Sequence, residues 1–194
     1  MPTPETIHLW GGALCLDFAN SVDWREDDTP LTPATDAPAE PATLARWGRR
    51  VGLFSRGAEP AAGELAAARE LRAALHAAFS AIARGEDPPA PALARIAADH
   101  AEAAGAGRLE RRDGAWRLTW PARDPRHVRL AVAADAAALL ADPARLARVR
   151  RCPGHDCGWL FLDASGRRRW CSMRTCGSRA KMRRLYERRR AAEE

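Results

Sequence analysis

The chain has 194 residues, 46% of them hydrophobic and 29% charged, with a formal net charge of +6. That is enough apolar material for a sizeable core, but no stretch approaches the ~18 uninterrupted apolar residues of a membrane span. The charge is uneven: residues 1–142 hold 16 Arg against 20 Asp and Glu, a balance of −4, whereas residues 143–194 hold 15 Arg and Lys against 5 acids, a balance of +10. An acidic body followed by a strongly basic segment points to a polyanionic partner for that segment, with nucleic acid the usual one.

The opening MPTPETIHLW has no cationic start and no apolar run of signal-peptide length, which predicts a cytoplasmic protein without a membrane association. A brief strand is expected over residues 7–10. In GGALCLDFANSV, Leu14, Phe18 and Val22 recur at four-residue steps and predict a short amphipathic helix entered from a glycine turn. Residues 27–41 carry four prolines and no periodic apolar face, and read as a surface loop. TLARWGRRVGL places Leu44, Trp47 and Val51 on one helical face, with Gly52 as the stop.

Residues 61–84 give the clearest helix. Leu65, Ala68, Leu71, Leu75, Phe79 and Ile82 step by three or four, and Gly85 with Pro88 ends the run. An alanine-rich helix follows over about 90–104. The period then changes to two: Trp116, Leu118 and Trp120 alternate with Arg117 and Thr119, and an Asp113–Gly114 turn joins them to Leu109 and Arg111 as a hairpin. Helical patterning returns over 126–141 and over 143–151. The fold class expected is α+β: a mostly helical N-terminal body with a β-hairpin or small sheet, then, where Cys152, Cys157, Cys171 and Cys176 fall in two close pairs, a small treble-clef-like four-cysteine zinc finger with a C-terminal basic helix.

The finger rests on the spacing C-x4-C-x13-C-x4-C formed by Cys152, Cys157, Cys171 and Cys176. Each close pair makes a chelating loop, and in a reducing compartment such spacing favours metal over disulfides. Both pairs are followed by glycine, Gly158 and Gly177, expected to take positive φ so that backbone N–H groups turn toward the thiolates. WLFLD and RRRW, flanking Ala164-Ser165-Gly166, read as two strands and a turn between the pairs. Ser172 is the expected N-cap of the helix that follows. Four cysteines already close the shell of one structural Zn2+, so His155 is expected to face solvent and no catalytic metal position remains. The lone Cys15 reads as a small buried core residue.

Nearby cations can offset the −2 formal charge of a zinc tetrathiolate, which gives Arg168, Arg169 and Arg179 a structural reading. Arg174, Lys181, Arg183, Arg184, Arg188, Arg189 and Arg190 run on beyond the metal and crowd a helix with positive charge. The nucleic-acid contacts expected are Arg167, Arg168, Arg169, Arg174, Arg179, Lys181, Arg183 and Arg184.

WLFLDASGRRRWCSMRTCGSRAKMRR resembles the CGNR zinc-finger domain, and GGALCLDFANSV resembles the start of the ABATE domain that precedes this finger in bacterial proteins. The resemblance implies a stress-induced transcription regulator with an ABATE-like body over 1–148 and the finger over 149–194. It implies Cys152, Cys157, Cys171 and Cys176 as zinc ligands, Trp159, Phe161 and Asp163 as the hairpin signature, and Gly177 and Arg179 in the name-giving turn. Ser178 stands where the family has Asn.

The function this implies is zinc-dependent DNA binding, with the body sensing a small-molecule effector or forming a homodimer. The alternative is a zinc-stabilised RNA- or protein-binding module. An enzyme is not expected, because no phosphate-cradling loop, HExxH, GxSxG or dinucleotide fingerprint occurs. Asp17, Asn20 and Asp23, a cluster of polar groups near the start, read as the lining of a polar pocket or, for two of them, as helix-surface or capping residues.

Overall fold

The computed structural model describes residues 6–24, 27–28, 41–53, 62–121 and 123–193. Its elements are α1 (Leu14–Ala19), α2 (Pro41–Arg50), α3 (Ala62–Arg84), α4 (Ala90–Ala106), β1 (Arg108–Arg112), β2 (Ala115–Thr119), α5 (His127–Leu140), α6 (Pro143–Leu146), β3 (Val149–Arg151), β4 (Leu160–Leu162), a π-helical turn (Met173–Gly177) and α7 (Ser178–Glu193). The proline-rich stretch predicted as a loop lies, over 29–40, outside the described residues.

The α3 stripe is buried as its periodicity requires: Leu65, Ala68, Leu71, Leu75 and Phe79 all enter the core, and Gly85 closes the helix at φ +77°. α5 is buried nearly all round, and its alanines let α4 and α3 approach it closely. α1 is likewise buried through Cys15, Leu16, Phe18 and Ala19, so its apolar face is wider than the Leu14/Phe18/Val22 stripe alone suggests. The Cys15 thiol lies fully in the core, where burial first and the neighbouring Asp135 second hold its pKa well above the ordinary value. The Cys15 N–H donates to Asp135 Oδ2 at 2.8 Å, tying the start of α1 to α5.

Three helices share one buried ionic knot. Arg129 of α5 donates to Glu64 of α3 at 2.7 Å and to Asp99 and Glu102 of α4 at 2.6 Å each. Burial pushes the Glu64 carboxyl above its usual range, and Arg129 recovers only part of that. The guanidinium is held above its ordinary value: burial opposes the charge, but the bonds to Glu102 and Glu64 outweigh it.

Two antiparallel sheets complete the fold. β1 and β2 pair from Arg108↔Thr119 to Arg112↔Ala115 around Asp113–Gly114, whose φ values of 50° and 80° match the turn predicted there. β3 and β4 pair as Val149↔Leu162, Arg150↔Phe161 and Arg151↔Leu160. The structure corrects three expectations, the first two through this second sheet. The helical reading of 143–151 stops at Leu146, because Val149–Arg151 is drawn into a ladder with β4. RRRW (167–170) is not a strand: β3 takes one edge of β4, and the body takes the other through Gly11, whose carbonyl accepts the Leu162 N–H at 2.7 Å. Residues 7–10 are not a strand either; His8 stacks on Trp10 there, ring centroids 3.8 Å apart.

Arg129→Ala would leave Glu64 buried without its counter-charge, while Asp99 keeps Arg95 at 2.7 Å and Glu102 keeps Arg126 at 2.9 Å. The expected loss is about 3–5 kcal/mol of unfolding free energy, read by urea titration. A loss below about 1 kcal/mol would show that the knot contributes packing only.

Candidate metal centre and basic helix

The first cysteine pair sits on a loop closed by the β3–β4 ladder, which the Cys152 N–H extends by donating to the Trp159 carbonyl at 2.8 Å. The second pair sits at the two ends of the turn leading into α7. Ser172 caps that turn as predicted, its hydroxyl accepting the Arg174 N–H at 3.1 Å.

The four Sγ atoms all lie within 4.8 Å of one another. Zinc–sulfur bonds of about 2.3 Å in a tetrahedron require S···S edges of about 3.8 Å. The Cys157–Cys171 and Cys171–Cys176 separations are 3.9 and 3.6 Å, so the donor set fits one closed tetrathiolate zinc site. The Cys171 N–H points at Cys152 Sγ at 3.4 Å, a bond that steadies a thiolate. Hydrogen bonds from Cys157 and Cys171 draw the Cys152 thiol below its ordinary value, while the same contact with Cys152 pushes Cys157 up. The protein alone thus stabilises one thiolate at the expense of its neighbours, and a divalent cation is what lets all four ionise together. Bound zinc would supply structural cross-linking here. His155 is exposed, as expected, outside this shell.

The expected positive φ at Gly158 and Gly177 is not observed; Asp156, at φ 51°, makes the left-handed bend of the first loop. The glycines that matter act by closeness. A Cβ on Gly154 would come within 2.8 Å of Cys176 Sγ, and one on Gly177 within 2.8 Å of Met173 Sδ.

The body grips this finger through polar groups. The Asn20 amide, fully buried, accepts the Leu160 N–H at 2.9 Å and donates to the Leu160 carbonyl at 2.8 Å. Asp23 accepts from Trp159 Nε1 at 2.8 Å. The Gly158 N–H donates to the Trp24 carbonyl at 2.9 Å, and Gly158 O lies 2.8 Å from His76 Nε2. Burial holds the His76 imidazole down at about 4, so it is neutral and donates to that carbonyl, stacked 3.8 Å from the Trp24 ring. Asn20 and Asp23 therefore form the seam between body and finger; Asn20 also stands at the C-cap of α1, and Asp23 lines a cleft of about 600 Å³ with Trp10, His155 and Arg179. Asp17 does act locally, its Oδ1 accepting the Gly11 N–H at 2.7 Å. His76 carried no signal of its own, because it sits among the apolar steps of α3.

The predicted nucleic-acid residues divide into two groups. Arg168 is half-buried: its guanidinium donates to the Cys171 and Trp170 carbonyls at 2.6 and 3.2 Å and lies 4.3 Å over the Phe161 ring. It holds the finger's own turn. Arg167, Arg169, Arg174, Arg179, Lys181, Arg183 and Arg184 are exposed. Among the described residues none of these seven forms an ion pair. The cations of α7 fall on two flanks, Arg179, Arg183 and Arg190 on one and Lys181, Arg184 and Arg188 on the other. Ser178, at the family's Asn position, is exposed, with no side-chain hydrogen bond among the described residues.

Residues 12–143 match the ABATE family, described as "Putative stress-induced transcription regulator". The chain belongs to the ABATE family. Residues 148–189 match the CGNR zinc finger, so this ABATE chain carries its finger directly behind the body. No curated protein matches the chain. Among the described residues no helix is long and apolar enough to cross a membrane.

Two outcomes check the centre. Gly154→Ala should weaken zinc binding at least about tenfold in competition with a chromophoric chelator, since the added methyl displaces Cys176 Sγ; unchanged affinity would count against the tetrathiolate geometry. Because Cys152, Cys157, Trp159 and Phe161 share one apolar cluster with Phe18, Leu71 and Leu75, removing zinc should lower the midpoint of a single calorimetric transition. A separate low-temperature transition with the main one unmoved would contradict that.

Proposed function

We propose that this protein is a non-enzymatic transcription regulator that binds DNA through the exposed cations of the finger and α7. The observation that carries the reading is α7 itself. It packs chiefly on the π-helical turn and leaves its cations without ion pairs among the described residues. A helix so charged suffers self-repulsion unless an anion lies along it, and the phosphate backbone supplies regularly spaced anions. Zinc's part is to fix the turn from which α7 springs. The body, joined to the finger through Asn20, Asp23 and His76, fixes where that helix points.

Arginine here serves phosphate contact before base reading, because nothing orients a guanidinium toward a base edge. A second reading, a protein partner, is favoured by Met182 and Tyr186, exposed at 45% and 59% one turn apart on α7.

Anisotropy titration of the zinc-loaded chain with duplex DNA and with single-stranded RNA checks the proposal. Duplex affinity should fall steeply with salt, and Arg183→Glu with Arg184→Glu should weaken it by at least about tenfold. A flat salt response, or preference for the RNA, would sink the DNA reading.

A further inference from the structure

A cleft of about 550 Å³ lies under the β1–β2 hairpin, remote in sequence from the metal centre. That volume is within the roughly 300–1,000 Å³ of small-molecule sites. Strand alternation sorts the hairpin: Leu109, Arg111 and Trp116 share one face, and Arg108, Glu110, Arg112 and Arg117 share the other. The second set lines the cleft. Its apolar part is formed by Trp120, Leu53, Leu118 and Pro121, with Trp120 fixed by a 2.9 Å bond from Nε1 to the Ala103 carbonyl.

Three guanidiniums therefore face one carboxylate. Glu110 is taken by Arg112, at 2.8 and 3.2 Å. Arg108 and Arg117 have no ion pair among the described residues. His127 also lines the cleft, but burial holds its pKa down and it adds no charge at neutral pH. The balance of the cleft is positive within a body whose residues 1–142 sum to −4, so the bulk charge does not account for it. Unpaired arginines beside an apolar wall suit a ligand with an anionic end and a flat apolar end.

We propose that this cleft binds a small aromatic anion, its ring against Trp120 and Leu53 and its carboxylate or phosphate held by Arg108 and Arg117. The site is independent of DNA binding: neither zinc nor α7 takes part. α5 begins at this cleft and carries Asp135, which holds α1, and α1 leads into Asn20 at the finger seam.

Calorimetric titration of the intact zinc-loaded protein tests it, with benzoate and phenyl phosphate as probes and benzylamine and inorganic phosphate as controls. One or both aromatic anions should bind at one site per chain, more tightly than either control, and the better of the two identifies the anionic group. Arg108→Gln with Arg117→Gln should weaken that binding at least about tenfold, and the single Arg117→Gln should weaken it in part, with circular dichroism unchanged for both. Arg183→Gln with Arg184→Gln on α7 should leave it within about twofold. No binding of either aromatic anion up to about 10 mM, equal binding of benzylamine or of inorganic phosphate, or equal loss in the α7 variant would overturn the proposal.

Discussion

Four sulfurs held within 4.8 Å of one another cannot all be ionised without a cation, and the rest of this structure is arranged around that constraint. The first pair is brought together by a two-stranded ladder, the second by a capped π-helical turn. Neither unit is large enough to hold its cysteines in place by burying apolar surface alone. A tetrathiolate zinc site contributes on the order of 10 kcal/mol to the folding of such units. That free energy sets the turn at Met173–Gly177 and thereby the origin of α7.

The finger is not free-standing. Cysteine loops, Trp159 and Phe161 join the same apolar cluster as the α1 and α3 side chains. The seam is unusual in being polar and fully matched: one buried amide serves both backbone groups of Leu160, and a neutral imidazole serves Gly158. Unmatched, each of those groups would cost about 1–3 kcal/mol. Matched, they fix one register between body and finger, which an apolar contact of the same area would not. The electrostatic division follows the same line. Acidic groups of the body are engaged by internal arginines, as in the Arg129 knot, while among the described residues the cations of α7 form no ion pair.

Much of this was legible. The C-x4-C-x13-C-x4-C spacing identified the ligands because chelate loops of that size are a local property of the chain. The α3 stripe and the Asp113–Gly114 turn were legible for the same reason: helical period and left-handed φ are decided within a few residues. What failed was pairing at a distance. Val149–Arg151 looked helical by composition and became a strand because β4 offered an edge. RRRW looked like a strand and did not become one because Gly11 and Asn20, some 140 residues upstream of β4, already occupied that edge. The left-handed bend of the first knuckle fell on Asp156 and not on the glycine after the cysteine pair.

The sequence by itself determined the metal, its four ligands, the helical character of the body and the placement of positive charge at the C-terminal end. Each of these is set by residue type and short-range spacing. Only the tertiary structure decided that Arg168 supports the finger while its neighbours face outward, that Asn20, Asp23 and His76 form the seam, and that Arg108 and Arg117 overhang a cleft. Those roles depend on which groups meet across the fold, and a polar side chain carries no mark of its partner until burial removes water and makes one necessary.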